Sequence, residues 1–311
     1  MPHPALPYKR LLSGLVAAAK LDQLSKMGLD PSWDPAQAVR WAASLPEPHA
    51  LRLLSPSLRP QILEVIDHCA QIGDDTTLAA LVLHASPNIL GQEALSLAAG
   101  QGHARCVEIL LPISSSSQIC LALISAAREG RADCLLLLIP LGNAKFQESE
   151  ALRSASAHGR LECARLLIPA SDPSAQSFAA LRFAALRGHA DCVEELLALG
   201  PDRRATSMAL QWACEEGHAD CVKLLIPHCD PMADNAIGLL SAISFGRASC
   251  VELLLPHFKG CSAAEDLPAL ARMCSKDGHA AMAALVLSHF ERLELSSDTP
   301  APPRSLLRHA L

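Results

Sequence analysis

Aromatic side chains are nearly missing from this chain of 311 residues: Trp, Tyr and Phe make up 3% of it, while half of it is hydrophobic. An all-β fold, which draws heavily on aromatic and β-branched residues, is therefore disfavoured. Positive charge is not in excess either. The balance of 26 basic and 32 acidic residues leaves a net charge of −6, with 13 His besides, so the broad basic face of a nucleic-acid-binding protein is not expected. No run approaches the roughly 18 apolar residues that a membrane-spanning helix needs. Also lacking are a C-x-x-C pair, a G-x-S-x-G elbow, a G-K-[ST] phosphate loop, a G-x-G-x-x-G turn and an H-E-x-x-H pair, which leaves no recognisable start for zinc, acyl-transfer, nucleotide or metalloprotease chemistry.

What is present in excess is Ala and Leu, together about a third of the residues, the composition of a helical protein. Near the N-terminus, Lys9 and Arg10 precede an apolar run from Leu11 to Ala19. That run fits a first helix, with a secretory leader as the alternative.

Periodicity decides the organisation. Gly73, Gly102, Gly130, Gly159, Gly188, Gly217, Gly246 and Gly278 follow one another at steps of 29, 28, 29, 29, 29, 29 and 32 residues. Four residues after most of them comes a cysteine, at Cys106, Cys134, Cys163, Cys192, Cys221 and Cys250, so half of the twelve cysteines occupy a single register position.

One unit, Ala209 to Pro227, shows the physical logic. Ala209, Leu210, Ala213 and Cys214 form one stripe of a first helix. Gly217 ends it in a left-handed conformation. Cys221, Val222, Leu224 and Leu225 form the buried stripe of a second helix, which Pro227 stops because proline has no N–H for the next helical bond. The proline recurs as Pro56, Pro112, Pro140, Pro169 and Pro256, with Ala198 in its place once. Two such short helices cannot hide both stripes alone, so neighbouring units must stack on a shared core.

The string Gly102-His103-Ala104-Arg105-Cys106-Val107-Glu108-Ile109-Leu110-Leu111, preceded by Ala98-Ala99, resembles the ankyrin repeat family. The same pattern returns at Gly188 to Leu197 and Gly217 to Leu225, and with Arg in place of His at Gly130, Gly159 and Gly246. The units depart from that family in being about four residues short and in lacking its T-P-L-H start. Its β-hairpin fingers should accordingly be short or absent. The expected fold is all-α: an ankyrin-like solenoid of about nine helix-turn-helix units, right-handed on the strength of the resemblance. Residues 1–60 read as degenerate repeats or a cap, 61–290 as the repeats, and 291–311 as a Pro/Ser-rich tail.

The cysteine ladder is read as reduced core thiols. Stacked helices stand about 8–10 Å apart, beyond the roughly 7 Å between Cα atoms that a disulfide tolerates. Free buried thiols point to a reducing, cytoplasmic setting. The best metal candidate, Cys214, His218 and Cys221 with His228 and Cys229 downstream, occupies regular core positions and is read as packing. The histidines after the glycines recur once per unit and are read as bonding the turn. Ser114 to Ser117 read as a flexible connection.

No cofactor, metal, nucleic-acid, membrane or small-molecule partner is expected; a protein is. The resemblance implies that residues just before each glycine line a concave binding face. Here these are Gln101, Arg128, Glu129, His158, Leu186, Arg187, Glu215, Glu216 and Phe245, joined by Arg153, Arg182 and Leu240. Arg153, Arg182, Arg187, Arg203 and Arg204 suggest a basic strip, while Phe245, Leu186 and Leu240 are the expected apolar anchors. The functional expectation is a non-catalytic protein-binding module. Two alternatives stay open: a toxin-neutralising immunity protein or an effector delivered into a host cell, and an enzyme whose active site would have to fit in residues 1–60, a short stretch for a site and a core.

Overall fold

A computed structural model describes residues 59–84, 93–231, 233–258 and 282–289. The expected units before residue 59, the enzyme alternative, the leader, Gly278 with its following histidine, and the tail all lie outside the described residues.

Every regular element among the described residues is helical. They pair as α1 (Arg59–Ile72) with α2 (Asp75–His84), α3 (Ala94–Gln101) with α4 (Ala104–Leu110), and α5 (Ser116–Glu129) with α6 (Ala132–Leu138). Then come α7 (Phe146–Ala157) with α8 (Leu161–Leu167), α9 (Ala175–Arg187) with α10 (Ala190–Leu197), α11 (Arg203–Glu216) with α12 (Ala219–Leu225), and α13 (Ala233–Ser244) with α14 (Ala248–Leu254). A last helix, α15, spans 282–289. The chain divides into two compact units, the first ending at Phe146 and the second beginning at Gln147.

In the first unit α1, α3 and α5 pack side by side, as do α2, α4 and α6; in the second, α9, α11 and α13 form one row and α8, α10, α12 and α14 the other. Small residues make this close approach possible. On α9, Ala179, Ala180, Leu181, Ala184 and Ala185 are all buried; on α10, Cys192, Val193, Leu196 and Leu197 complete the layer. Each fully buried Leu or Val contributes roughly 1.5–3 kcal/mol relative to exposure. All six cysteines of the ladder are at most 1% exposed, and none of the six is in a disulfide.

The glycine does what its position demands. Gly217 ends α11 at φ 87° and its N–H bonds the Ala213 carbonyl, a conformation that costs any residue with a Cβ about 1–2 kcal/mol. The proline stands two residues after the last helical residue each time, and Pro112, Pro227 and Pro256 sit inside short 3-10 turns. Where Ala198 replaces it, α10 runs one residue longer than α4, α6, α8, α12 and α14, closed by a bond from the Ala198 N–H to the Glu194 carbonyl. The connections at 111–115 and 198–202 contain no strand. Ser115 is not part of a loose linker: its hydroxyl accepts from the Gln118 N–H at 3.4 Å while its own N–H donates to the Gln118 side chain at 2.8 Å, a capping box that starts α5.

At five of these glycines the following His or Arg bonds across to the previous repeat and not within its own turn. His103 bonds the carbonyl of Gln71 at 3.1 Å and Arg131 that of Gly100 at 3.1 Å. In the second unit His189 bonds Ala157, His218 bonds Leu186 and Arg247 bonds Glu215, at 3.1, 3.1 and 2.9 Å. In each case the acceptor lies two residues before the previous repeat's glycine. These side chains cover that glycine so closely that a Cβ built at Gly188 would stand 2.5 Å from Nδ1 of His218. The glycine and the following His or Arg are thus two halves of one joint.

Candidate protein-binding face

Residues expected to bind a partner lie on the first helices, and the two units present them separately. In the first, Gln101 at the end of α3 and Arg128 and Glu129 at the end of α5 are exposed. In the second, His158, Arg187 and Glu216 are exposed at or just past the ends of α7, α9 and α11, and Phe245 just past α13 is 58% exposed. Arg153, Arg182, Leu186, Glu215 and Leu240 are half-buried. Leu186 and Leu240 are therefore partly spent on packing, which leaves Phe245 as the open apolar side chain of the set.

The basic strip is not continuous. Arg203 and Arg204 stand at the start of α11 and Arg187 at the end of α9. At about 1.5 Å per residue, a helix the length of α11 puts ~20 Å between its two ends. Arg153 pairs with Glu150 and bonds the Gln176 side chain, so its charge is already met. Glu215 is held from two sides, by the Gln211 amide at 2.9 Å and the Ser241 hydroxyl at 3.4 Å.

Arg182 has the most elaborate surroundings. Its guanidinium carbon lies 5.1 Å from the centroid of the Trp212 ring, within cation–π range. Trp212 in turn meets Phe183 with centroids 5.8 Å apart and planes inclined by 56°. The Nη2 of Arg182 donates to the Gln176 carbonyl at 2.6 Å. That carbonyl belongs to a left-handed turn at Gln176, Ser177 and Phe178, with φ of 51–55°, which breaks the start of α9; α7 carries the same turn one repeat earlier at Gln147, Glu148 and Ser149. Phe183 and Trp212 both stand five residues before their glycines. This shared register is the signal by which the sequence would have revealed the pair.

Burial works against ionisation at several of the described thiols. Burial pushes Cys106, Cys163, Cys192, Cys221 and Cys229 up to about 11, the reverse of what a reactive thiolate needs. Cys214 is raised further by its hydrogen bond to Cys250, with burial adding to the effect. His218, which lies near Cys214 and Cys221 in sequence, spends its Nε2 on the Leu186 carbonyl. Among the described residues no cluster of three or more His, Cys, Asp or Glu is arranged to hold a metal. Nor is any described helix long and apolar enough to cross a membrane.

The family model for ankyrin repeats in three copies matches residues 66–149, 123–207 and 181–267. The chain belongs to the ankyrin repeat family. Ankyrin repeats are a general protein–protein interaction module, typically without catalysis, and in that sense they imply a protein partner. Among solved structures, the crystal structure of the human ASB11 ankyrin repeat domain is similar with a TM-score of 0.54 and 20% identity, covering 63% of this chain and 99% of that one. At that identity the likeness establishes the ankyrin fold alone. No curated protein matches the chain.

Proposed function

We propose that this ankyrin protein is a non-catalytic module that binds a protein partner on its first-helix face. One observation carries the reading: six successive repeats, from Gly102 to Gly246, share the same glycine, the same buried thiol and, wherever the described bonds show it, the same His or Arg joint, while the residues just before the glycine change every time. They read Arg128-Glu129, Leu186-Arg187, Glu215-Glu216 and Ser244-Phe245. A constant frame that presents variable side chains is how a solenoid separates stability from recognition. Affinity then rests on a few anchors, of which Phe245 is the most exposed.

The free buried thiols support residence in a reducing compartment. The face is tested with Phe245→Asp and Arg187→Glu in the full chain. Each should abolish capture of the native partner from lysate while leaving the melting temperature unchanged. Retained capture by both variants refutes the face, and a lowered melting temperature reassigns the residue to the fold.

A further inference from the structure

Arg182 lies six residues before Gly188, the register held by Arg153 one repeat earlier and by Gln211 and Leu240 in the two repeats that follow. The two arginines are treated differently by their surroundings. Arg153 has Glu150 as its counter-charge. Arg182 has none among the described residues: it donates to a carbonyl and leans on an aromatic ring. Its Nε, like that of Arg153, is enclosed without a hydrogen bond, and burial lowers the pKa of Arg182. Glu215, the carboxylate one helical turn past Trp212, is already engaged by Gln211 and Ser241. A half-buried guanidinium without an anion is costly to keep, and the cost is recovered when a carboxylate meets it.

We propose that the partner places an Asp or Glu side chain on Arg182 at the edge of Trp212, with an apolar neighbour of that residue against the Phe183–Trp212 pair. The occupant is an acidic peptide segment of a protein. This deepens the reading of the first-helix face and rests on it. Planar, bidentate contact with carboxylate is what a guanidinium offers and an ammonium does not. The chain's own net charge of −6 does not steer acidic segments in from a distance. Selection is therefore at short range, where a partly buried pair is screened less by salt than an exposed one. Exposed Arg187, five residues further along α9, adds a second cation for an acidic residue beside the first.

The test selects a random-peptide library displayed on phage against the full chain, then titrates the enriched sequence as a synthetic peptide. Enriched peptides should share an Asp or Glu next to an apolar residue. Arg182→Gln should weaken the peptide by about tenfold to a hundredfold, the range for losing one charged hydrogen bond. Replacing the peptide's acidic residue by its amide should weaken wild type equally and Arg182→Gln hardly at all. If Arg182→Gln melts early, Arg182→Lys keeps the charge, loses the planar fork and should still bind several-fold more weakly. Failure to enrich any peptide, enrichment of peptides without an acidic residue, or equal binding by wild type and both Arg182 variants overturns the assignment. In the last case Phe245→Asp separates the causes. Loss of binding there leaves the first-helix face standing without the carboxylate site, and indifference to it refutes both.

Discussion

Replacing His218 by Ala removes one half of an inter-repeat joint and should cost about 2–3 kcal/mol. The Nε2 of His218 bonds the Leu186 carbonyl at 3.1 Å, a contact worth about 1 kcal/mol net, with a further penalty of about 1–2 kcal/mol for the unmet carbonyl and the void left over Gly188. His218→Arg should recover most of this, to within ~1 kcal/mol of wild type. At the same register Arg131 and Arg247 reach the previous repeat's carbonyl at 3.1 and 2.9 Å while covering its glycine. The partner half is Gly188, at φ 76° with the His218 ring 2.5 Å from where a Cβ would stand. Gly188→Ala should therefore lose more than the roughly 1–2 kcal/mol of a left-handed alanine, because the ring must move as well. In the His218→Ala background the clash is gone and only the conformational cost should remain. Urea denaturation followed by far-UV circular dichroism at one fixed pH compares these four variants with wild type. A loss below about 0.5 kcal/mol for His218→Ala, or strict additivity of the two substitutions, would refute the joint.

Three other outcomes follow from the same structure. Unfolded thiols ionise near 9.0 while four buried ones, Cys106, Cys163, Cys192 and Cys221, and half-buried Cys229 wait until about 11. Between those values the unfolded chain has released protons that the folded one still holds, so stability is intact below pH 9 and falls as pH rises toward 11; a melting temperature that stays flat across that window contradicts the burial of the ladder. Ser115→Ala should cost about 1 kcal/mol by removing the capping box of α5, with Ser115→Asp retaining most of the stability, and equal melting of both variants with wild type would show that the cap contributes nothing. A thiol reagent should label about twelve cysteines in denatured protein and far fewer in native protein, since nine of the ten described are buried; full native labelling would overturn the stacking register.

Much of the frame was readable from residue types because each unit reuses the same chemistry. A glycine must end the first helix, a proline must end the second soon after, and a cysteine four residues past the glycine sits where a small apolar side chain fits. The joint was half legible. The recurrence of His103, His189 and His218 marked them as structural, but a bond that crosses to the previous repeat has no signature within one unit. Arg131 and Arg247 in the same role were the available clue, since two side chains with such different charges share only reach and an N–H. The left-handed turns at Gln147 to Ser149 and Gln176 to Phe178 were invisible, because none of the six residues is the Gly or Asn that announces such a conformation. On the face, counting back from the glycine gives a residue's place on the first helix but not its depth. Leu186 and Leu240 are half covered, and the Phe183–Trp212 pair has no signature within one repeat, because its two rings come from successive repeats and meet only on stacking.

The face itself is tested most directly by a photo-crosslinking side chain placed singly at Phe245, Arg187, Lys223 and Glu252 in the full chain and irradiated with its native partner present. Phe245 and Arg187 belong to the first-helix ends, whereas exposed Lys223 and Glu252 lie on the second helices α12 and α14. Adducts to the partner are expected from the first two positions and none from the second two. Adducts from Lys223 or Glu252 with none from Phe245 and Arg187 would place the partner on the other face and contradict the first-helix binding face.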